Sequence, residues 1–486
     1  MKGEWKLGRA NLKLLSTNEI HTIHDATLQI LKDVGLLIRS NKVLKILDDA
    51  GAQVNHEKSI AKIPEAIVKE ALKKAPKTVK LSARDPKHNI TIPSKTNCYL
   101  TTDGLGVYML DLETGERRLG TRKDLANFAI LADALESVQV FWPTIVVSDV
   151  PKPVHELHEF VTSLKNTAKH IEHEAMNAKE AQYEIEMASA IVGSREELKK
   201  KPIISVVQCP ISPLTYEKGS IEATAEFAKA NIPVVAMAMP NLGATGPVTI
   251  AGSIAVGNAE NLGSLIVTQL VNPGAPFIYS ITSMSTDMKT GIGASGAPEA
   301  TIATVSAIQL AKHYGLPCEM GGFGTDAKVP GVQAAFEKAL DISPPVMAGV
   351  DLIAGIGGLE GSNTLCLEQM IIDSEIWQSA LRFARGFDVN NETLALDTIR
   401  NVGPGGHFLS QKHTLEHFEN ELWMPKISDR KPYAAWESGG EKKLVDVAKQ
   451  RVKSILKNHK PEPIDKAIQE EIDQILKKYE KELLGQ

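Results

Sequence analysis

A glycine-rich segment near residue 320 has the composition of a ligand-binding loop. The run from Gly321 to Asp326 contains three glycines within four residues. A turn alone requires fewer, and each glycine leaves volume that a ligand can fill. The segment follows a short apolar run, which places it at the end of a predicted strand. We therefore predict that it forms part of the working face of an enzyme.

Two histidines and a glutamate have the chemistry of metal ligands but lack the spacing. His170, Glu172 and His173 are close in sequence, yet they match neither an HExxH nor an HxC pattern. Another ligand would have to come from elsewhere in the chain. Polar residues at the end of a strand usually have structural hydrogen-bond partners instead. We expect no metal site.

An alternation of short β-rich runs with longer helical patterns positions these residues. The strand candidates are 98–102, 143–148, 168–173, 203–209, 232–239, 275–281, 316–320 and 350–356. Helical patterns between them, for example 155–166, 215–229, 257–272, 299–314 and 331–342, are long enough for right-handed crossovers. Eight parallel strands predict a (β/α)8 TIM barrel. An open doubly wound sheet is the alternative, but a full GxGxxG after the first strand is missing.

Further helices flank the barrel on both sides. Helical spacing predicts elements from Thr17, over Asn41 to Asp49, and from Pro64 to Lys74. The tail from Glu441 to Leu484 has the pattern of amphipathic helices. We predict an N-terminal helical and short-strand extension over 1–96, the barrel over 97–400, and a C-terminal helical extension over 401–486 that packs on the barrel.

The composition excludes several classes of partner. The 54 basic and 59 acidic residues give a formal net charge of −5 and form no basic block, so nucleic acid is not expected. The charged N-terminus does not suit a signal peptide, and no stretch of about 18 apolar residues is uninterrupted. We expect a cytoplasmic homo-oligomer without membrane contact. Four cysteines without a CxxC pair indicate a reducing compartment: Cys98, Cys209, Cys318 and Cys366.

The residues at the predicted strand ends contain no recognisable catalytic set. Active sites of such barrels lie in the loops that follow the strands. No phosphate cradle, zinc motif or Ser/His/Asp order occurs at those positions. The candidates there are Asp103 and Gly104, Ser148 and Asp149, His170 to His173, Gln208 and Cys209, Met237 and Met239, Tyr279, Gly321 to Asp326, and Gly357 to Glu360.

The segment after the glycine-rich run carries a family resemblance. Thr325-Asp326-Ala327-Lys328-Val329-Pro330 resembles the signature of the trimethylamine:corrinoid methyltransferase family. Further matches in the same order are Asn166 to His170, Cys209 to Leu214, Asn258 to Glu260, Gly296 to Glu299, Gln333 and Ala334, Glu337 and Lys338, Leu359 and Glu360, and Glu368 and Gln369. Archaeal trimethylamine enzymes of the family carry pyrrolysine just before the Thr-Asp-Ala-Lys run. This chain has Gly324 there, so it resembles the branch without pyrrolysine, whose members demethylate quaternary amines.

The resemblance implies a reaction and a partner. Co(I) of a corrinoid protein would take a methyl group from a quaternary amine, most simply glycine betaine, which leaves as dimethylglycine. A quaternary amine leaves as a neutral tertiary amine, so no general acid is required. Proline betaine, carnitine and γ-butyrobetaine are alternative substrates. The chain lacks the Asp-x-His-x-x-Gly motif of cobalamin-binding domains, so the corrinoid would be supplied in trans by a cognate partner protein.

The resemblance and the strand ends together suggest site residues. An aromatic cage for the ammonium group would consist of Phe323, Tyr99, Tyr279 and Trp142 beside the space at Gly324. Other substrate contacts would come from His170, Asp326 and Lys328, with His170 and Lys328 at the carboxylate. Asp103 and Glu360 would position the methyl group, while Gly322, Met239 and Gly405 would face the corrinoid.

Two other classes of function stay open at the level of sequence. Lys169 lies on a predicted strand and would serve a Schiff-base barrel lyase, which borohydride trapping with substrate would detect. A non-catalytic betaine-binding protein is the other alternative. A periplasmic receptor of that kind would carry a signal peptide, which the N-terminal residues do not resemble.

Overall fold

Eight parallel strands form a closed barrel at the centre of the molecule. A computed structural model describes residues 11–94, 96–104 and 106–485. The barrel strands are β1 (Tyr99–Thr102), β2 (Val140–Phe141), β3 (His170–His173), β4 (Ile204–Gln208), β5 (Val234–Ala238), β6 (Phe277–Ile281), β7 (Glu319–Gly321) and β8 (Leu352–Ile356). Neighbours in the chain are neighbours in the sheet, and β8 pairs with β1. A parallel bridge between Tyr279 and Cys318 joins β6 to β7, which confirms the (β/α)8 barrel.

A helix follows each strand and packs on the outside of the barrel. These helices are Arg122–Ala134, His155–Asn166, Ala178–Val192, Lys218–Lys229, Ile250–Val271, Pro298–Tyr314, Val332–Ala348 and Leu367–Arg385. Local sequence determines where several of these helices begin. Thr121 and Asp124, for example, form a capping box at the start of helix Arg122–Ala134. Ile250–Val271 has the length and apolar composition of a membrane span, but 78% of its most apolar window is buried in the fold. It is a core helix of the barrel.

The second strand was predicted in the wrong place. The expected strand 143–148 contains the β-branched residues Thr144 to Val147, but the barrel strand is Val140–Phe141. Ile145 instead forms an isolated bridge with Gly106 beyond the end of the barrel. β-propensity reports how well a residue suits a half-buried pleated surface, and the loop at the barrel mouth provides such a surface.

A hairpin closes the N-terminal end of the barrel. Its strands Val79–Leu81 and Ile90–Ile92 are antiparallel. Its apolar side chains share one cluster with side chains from the barrel strands: Tyr99, Val140, Trp142, Val207, Cys209, Val235, Met237, Met239, Ile278, Leu352 and Ala354. Because side chains alternate along a strand, this cluster identifies which residues face the lumen. The lumen is therefore filled from below and opens at the carboxyl ends of the strands.

Smaller elements surround the barrel. The N-terminal helices are Thr17–Gln29 with a further turn Ile30–Val34, Asn41–Asp49 and Glu65–Lys74, and they accompany the sheet of Leu36–Ile38, Gln53–Asn55, Ile60–Lys62 and Thr215–Tyr216. The C-terminal helices are Asn391–Leu394, Leu396–Val402, Lys412–Glu421, Tyr433–Ser438, Leu444–Asn458 and Lys466–Leu484. Short segments are Pro86–His88, Lys152–Val154 and Arg195–Lys200. The domain boundaries at 96/97 and 400/401 stay predictions.

Two small sheets stand at the barrel mouth. One contains Tyr108–Leu110 and Arg117–Leu119 from the loop after β1, and Gly358–Leu359 and Thr364–Leu365 from the loop after β8. The other pairs Ser285–Thr286 with Gly293–Ala294 in the loop after β6. These sheets hold the loops that lead into the lumen.

Candidate functional site

Two glutamates from opposite sides of the barrel face each other in the lumen. Glu172 lies on β3 and Glu319 on β7, and neither is exposed to solvent. Burial raises the pKa of Glu172 to about 7, and burial together with Glu172 raises the pKa of Glu319 well above its usual range. Among the described residues no donor other than Glu172 reaches the Glu319 oxygens. The pair therefore holds at least one proton at neutral pH.

A chain of polar contacts links Glu172 to the floor of the barrel. The Ser82 carbonyl can only accept, so His170 Nδ1, 2.7 Å away, donates to it. Burial lowers the pKa of His170 to about 4, so the ring is neutral, and its Nε2 lies 3.0 Å from Ser205 Oγ. The Ser205 hydroxyl donates to Glu172 Oε2 at 3.2 Å, which lowers the pKa of Glu172 by less than burial raises it.

The same chain corrects the role predicted for His170. The residue begins β3, and Ser82, which it contacts, follows directly after the hairpin strand Val79–Leu81. It therefore lies at the closed end of the barrel, and it is uncharged. A neutral, fully hydrogen-bonded imidazole at the floor does not bind a substrate carboxylate that enters from the mouth. Its function here is to fix the hydrogen bond of Ser205.

Further polar atoms in the lumen are without partners. Thr101 shares its face of β1 with Tyr99, and Ser280 shares its face of β6 with Ile278, so both hydroxyls point inward. Both are buried, and neither has a hydrogen-bond partner in the described structure. Buried polar atoms are normally satisfied, and a group of unsatisfied ones in one chamber indicates a ligand.

An aromatic residue, Trp142, and another acid, Glu174, lie at the mouth of the lumen. Trp142 follows β2 and is 7% exposed; a Cβ on Gly104 would collide with its indole ring, so glycine is required there. Glu174 follows β3 on the same face as Glu172, and burial, reinforced by Glu156, raises its pKa to about 8. Among the described residues, no lysine or arginine influences the pKa of Glu172 or Glu319. The described part of the chamber around this pair is therefore acidic.

Two aromatic residues of the predicted cage do not line the lumen. Tyr279 alternates with inward-facing Ile278 and points to the helices, where its hydroxyl donates to Asn258 Oδ1 at 2.8 Å. Phe323 has a left-handed backbone with φ +57°. This turns its ring into the core outside the barrel, 5.6 Å from the Lys338 ammonium. Tyr99 does face the lumen, but it begins β1 and so lies near the floor.

Gly324 is not the open space that the sequence predicts. A Cβ at this position would collide with the backbone carbonyl of Ser295, and the Gly324 N–H donates to Asp341 Oδ2 at 2.8 Å. Close approach of two loops requires the glycine, so no substituent of a ligand can occupy its missing side chain. The glycine-rich run therefore allows two loops to pack closely at the mouth of the barrel.

The family motif after Gly324 also has a framework role. Asp326 accepts hydrogen bonds from the backbone N–H groups of Ser295 at 3.0 Å and Gly296 at 3.2 Å. Glu337 accepts from the Thr325 hydroxyl and the Asp326 N–H. Lys328 is exposed and donates to the Asp326 carbonyl at 2.6 Å. These contacts join the loops after β6 and β7, and they place neither Asp326 nor Lys328 in the lumen.

Gly324 allows a direct test of this packing. We expect Gly324→Ser to lower the free energy of unfolding by about 1–3 kcal/mol, because the neighbouring backbone cannot move aside easily. Gly331→Ser is the matched control. Its backbone is extended, with φ 169°, and its added Cβ meets no atom within 4 Å, so we expect a change within about 0.5 kcal/mol. Urea denaturation measures both. Open space at Gly324, as expected from the sequence, would instead leave the two variants equally stable.

The acids predicted to position the methyl group differ in surroundings. Asp103 follows β1 on its inward face, and burial raises its pKa. Glu360 lies on the rim, where a hydrogen bond from Thr364 and the Arg117 guanidinium, 2.8 Å away, lower its pKa. Glu360 is therefore already charge-paired. Asp103 keeps its predicted role as a proposal.

The residues predicted to face the corrinoid are scattered. Met239 lies at the mouth after β5, in contact with the lumen cluster. A side chain at Gly322 would point at Ile353 and Ile342, which belong to the core outside the barrel. Gly405 lies in an exposed turn after helix Leu396–Val402, and a Cβ added there would meet no atom within 4 Å. Met239 alone retains support from its position.

Lys169 is engaged as a structural residue. Its ammonium donates to the carbonyls of Ala132, Leu135 and Val138 at 2.6–2.8 Å, at the end of helix Arg122–Ala134. Burial lowers its pKa to about 8. Three carbonyl partners use all three donors, so the structure offers no support for a Schiff-base role.

Sequence reasoning missed Glu319 and considered Glu172 only as a metal ligand. A signal was present: Cys318-Glu319-Met320 places an acid inside an otherwise apolar run. A charged residue in a fully buried strand has a functional or structural reason. Its partner across the barrel, Glu172, could not be identified from the sequence, because the two glutamates lie 147 positions apart.

The comparisons with known proteins agree with this architecture. The family model described as trimethylamine methyltransferase (MTTB) matches residues 4–483. Trimethylamine methyltransferase MttB of Methanosarcina barkeri is 33% identical over 483 residues, 99% of this chain and 97% of that protein. A glycine betaine methyltransferase of Desulfitobacterium hafniense is 30% identical over 475 residues, 97% of this chain and 98% of that protein.

A solved structure shows the same fold. The monomethylamine methyltransferase MtmB of Methanosarcina barkeri superimposes with a TM-score of 0.52 at 10% identity, and the match covers 99% of both chains. At that identity the likeness concerns the fold. The family match over nearly the whole length is the stronger finding, and it shows that the chain belongs to the trimethylamine methyltransferase (MTTB) family.

Proposed function

We propose that this methyltransferase moves a methyl group from a quaternary amine, with glycine betaine as the substrate, to the Co(I) of a cognate corrinoid protein, and releases the tertiary amine dimethylglycine. The observation that carries the proposal is the pair of Glu172 and Glu319, which is fully buried in the lumen and has no lysine or arginine acting on it among the described residues. The family, and the relative named as a glycine betaine methyltransferase, support the reaction class.

The acidic chamber favours a permanent cation. Carboxylates that are buried without a partner are costly, which is why the two glutamates hold a proton. A quaternary ammonium ion carries a charge that it cannot lose, so it offsets the negative charge when the pair releases a proton. The face of Trp142 would add a cation–π contact worth roughly 0.5–2 kcal/mol. The site would therefore recognise a ligand by its positive charge and its shape, and the ligand would not need to donate a hydrogen bond.

The chain's contribution to catalysis is positioning. The partner's corrinoid supplies the acceptor for the methyl group. The carbon–nitrogen bond breaks with its electron pair left on nitrogen, so the leaving amine is neutral and needs no proton. Glu172 and Glu319 would hold the ammonium from below, while Trp142 and Asp103 would orient one methyl group toward the mouth.

The carboxylate of a betaine would stay at the mouth. None of the inward-facing residues of the eight described strands is lysine or arginine. Glu172 and Glu319 would repel a carboxylate at the floor. We therefore place the ammonium deep in the chamber and the carboxylate near the loops, where backbone N–H groups are available.

A methyl-transfer assay tests the proposal. The purified protein is mixed with free cob(I)alamin and, separately, with glycine betaine, proline betaine, carnitine, γ-butyrobetaine or trimethylamine. Absorbance follows methyl-Co(III). We expect methylation with glycine betaine and none with dimethylglycine, the matched control that lacks the permanent charge. Absence of methylation with every quaternary amine would refute the proposal, and activity with trimethylamine alone would reassign the substrate. Betaine binding without methylation would favour the non-catalytic alternative.

A further inference from the structure

A second group of histidine and acids lies outside the lumen. Helix His155–Asn166 begins near the barrel mouth after β2, and its first turns carry His155, Glu156 and Glu159. Residues three and four apart share one face of a helix. One potential ligand atom from each of the three lies within 4.8 Å of the others.

We propose that His155, Glu156 and Glu159 bind a divalent transition-metal ion of the Zn²⁺ type, through one imidazole nitrogen and two carboxylate oxygens. This set of nitrogen and oxygen donors suits zinc and its first-row neighbours. The proposal is independent of methyl transfer and of the substrate.

Carboxylate oxygens without hydrogen-bond partners provide the first support for a metal site. Glu159 is fully buried and Glu156 is 8% exposed. Glu159 Oε1 accepts from the Val147 N–H at 2.9 Å and lies 2.9 Å from His155 Nδ1. Glu159 Oε2 and Glu156 Oε2 are buried and have no hydrogen-bond partner in the described structure. Two buried carboxylates with unsatisfied oxygens in one cluster are costly, and a cation bound by the cluster would offset that cost.

A neighbouring histidine provides the second support. His173 on β3 lies with Nδ1 2.9 Å from Glu184 Oε1, and its Nε2 is buried without a partner. Its ring packs against Phe160 of helix His155–Asn166, with ring centroids 5.3 Å apart. A histidine beside a metal commonly donates a ring N–H to a carboxylate, and Glu184 is such a partner for His173. We therefore include His173 in the surroundings of the proposed site, while His155, Glu156 and Glu159 are its ligands.

The competing explanation is a network of ion pairs. Burial raises the pKa of Glu156 to about 7 despite the nearby histidines. Burial alone would lower the pKa of His173, but Glu184 and the cluster raise it to about 9. In that network protonated His155 and His173 would balance the carboxylates, and no metal would bind. Metal binding would displace those protons, so the two explanations predict opposite results with added metal.

Metal titration of the full-length protein separates them. Protein treated with a chelator and then dialysed is titrated with Zn²⁺ by calorimetry and with Co²⁺ by visible absorbance. We expect one ion per chain, release of protons, and d–d bands that report nitrogen ligation. Glu159→Gln and His155→Ala should each weaken the binding of Zn²⁺ at least tenfold.

A control on the same helix guards against general damage. His158 pairs with Glu480 at 2.9 Å, away from the cluster, so His158→Ala should bind Zn²⁺ like the unmodified protein. If His155→Ala does not fold, the isosteric Glu156→Gln takes its place. No bound metal in the unmodified protein, or unchanged affinity in the ligand variants, would overturn the proposal in favour of the ion-pair network.

Discussion

Glu319→Gln is expected to weaken the binding of a quaternary amine about 100-fold, which corresponds to roughly 2.7 kcal/mol. The substitution keeps the shape of the side chain but removes its ability to become negative. Glu172→Gln should act in the same direction. Isothermal titration with glycine betaine measures the dissociation constant. Glu360→Gln is the informative comparison, because that acid is already paired with Arg117 on the rim. We expect less than a threefold effect there, whereas an assignment from the sequence alone predicts a larger one.

The pH dependence of binding has a definite sign. A permanent cation favours the deprotonated form of the glutamate pair, and burial raises the pKa of Glu172 to about 7. The dissociation constant should therefore fall about tenfold between pH 6 and pH 8. In Glu172→Gln this dependence should become shallower. An affinity that is flat over this range in the unmodified protein would argue against a titrating carboxyl pair at the ammonium site.

The same raised pKa affects folding stability in the opposite direction. The stabilisation from a protonated Glu172 is fully present below its ordinary unfolded pKa and is lost as pH rises through about 7. Without ligand, the unmodified protein should thus lose more stability between pH 5.5 and pH 8 than Glu172→Gln does. Glu172→Gln would then weaken substrate binding but make folding stability less dependent on pH. This difference separates a role in binding from a general loss of structure.

Lys338→Met is expected to lower the free energy of unfolding by about 3–5 kcal/mol. Lys338 Nζ lies 2.8 Å from Asp373 Oδ2, and both side chains are fully buried between helices Val332–Ala348 and Leu367–Arg385. Removal of the lysine leaves a buried carboxylate with only the Gly357 N–H and Gln369 as donors. Urea denaturation at pH 7 measures the loss.

Two further variants check the cause. Lys165→Met removes a lysine whose pair with Asp473 is 2.6 Å long but partly exposed at 29% and 41%, so it should cost less than about 1 kcal/mol. The double variant Lys338→Met/Asp373→Leu should recover most of the lost stability, because no unpaired charge remains. Equal losses in the single and double variants would show that packing, and not the orphaned charge, is responsible.

Regular periodicity made the fold predictable. The expected helices over Asn41 to Asp49 and 155–166 coincide with the observed ones. Helix Ile250–Val271 begins seven residues before its predicted start at 257. The strand count was correct because each buried strand is a short apolar run between turn residues. Such a run can be recognised even when its first and last residues are predicted wrongly. Only the second strand was misplaced, since propensity does not distinguish a barrel ladder from a half-buried loop.

The site was much less predictable than the fold. The motif from Thr325 to Lys328 identified the family, yet its side chains hold two loops together. The inward or outward direction of Phe323 depended on one left-handed residue, which a sequence pattern does not show. The pairing of Glu172 with Glu319 depended on barrel closure. Trp142 was the one cage residue that follows an observed barrel strand and faces inward near the mouth.

The hairpin beneath the barrel imposes an order on turnover. Val79 to Leu81 and Ile90 to Ile92 fill the lower end of the chamber, so under the proposed function substrate entry, product release and docking of the methyl acceptor would all take place at the mouth. The small molecule must enter before the mouth is covered, and the demethylated product can leave only after it is uncovered. Steady-state kinetics should therefore be sequential and ordered, and excess methyl acceptor should inhibit by trapping the empty enzyme.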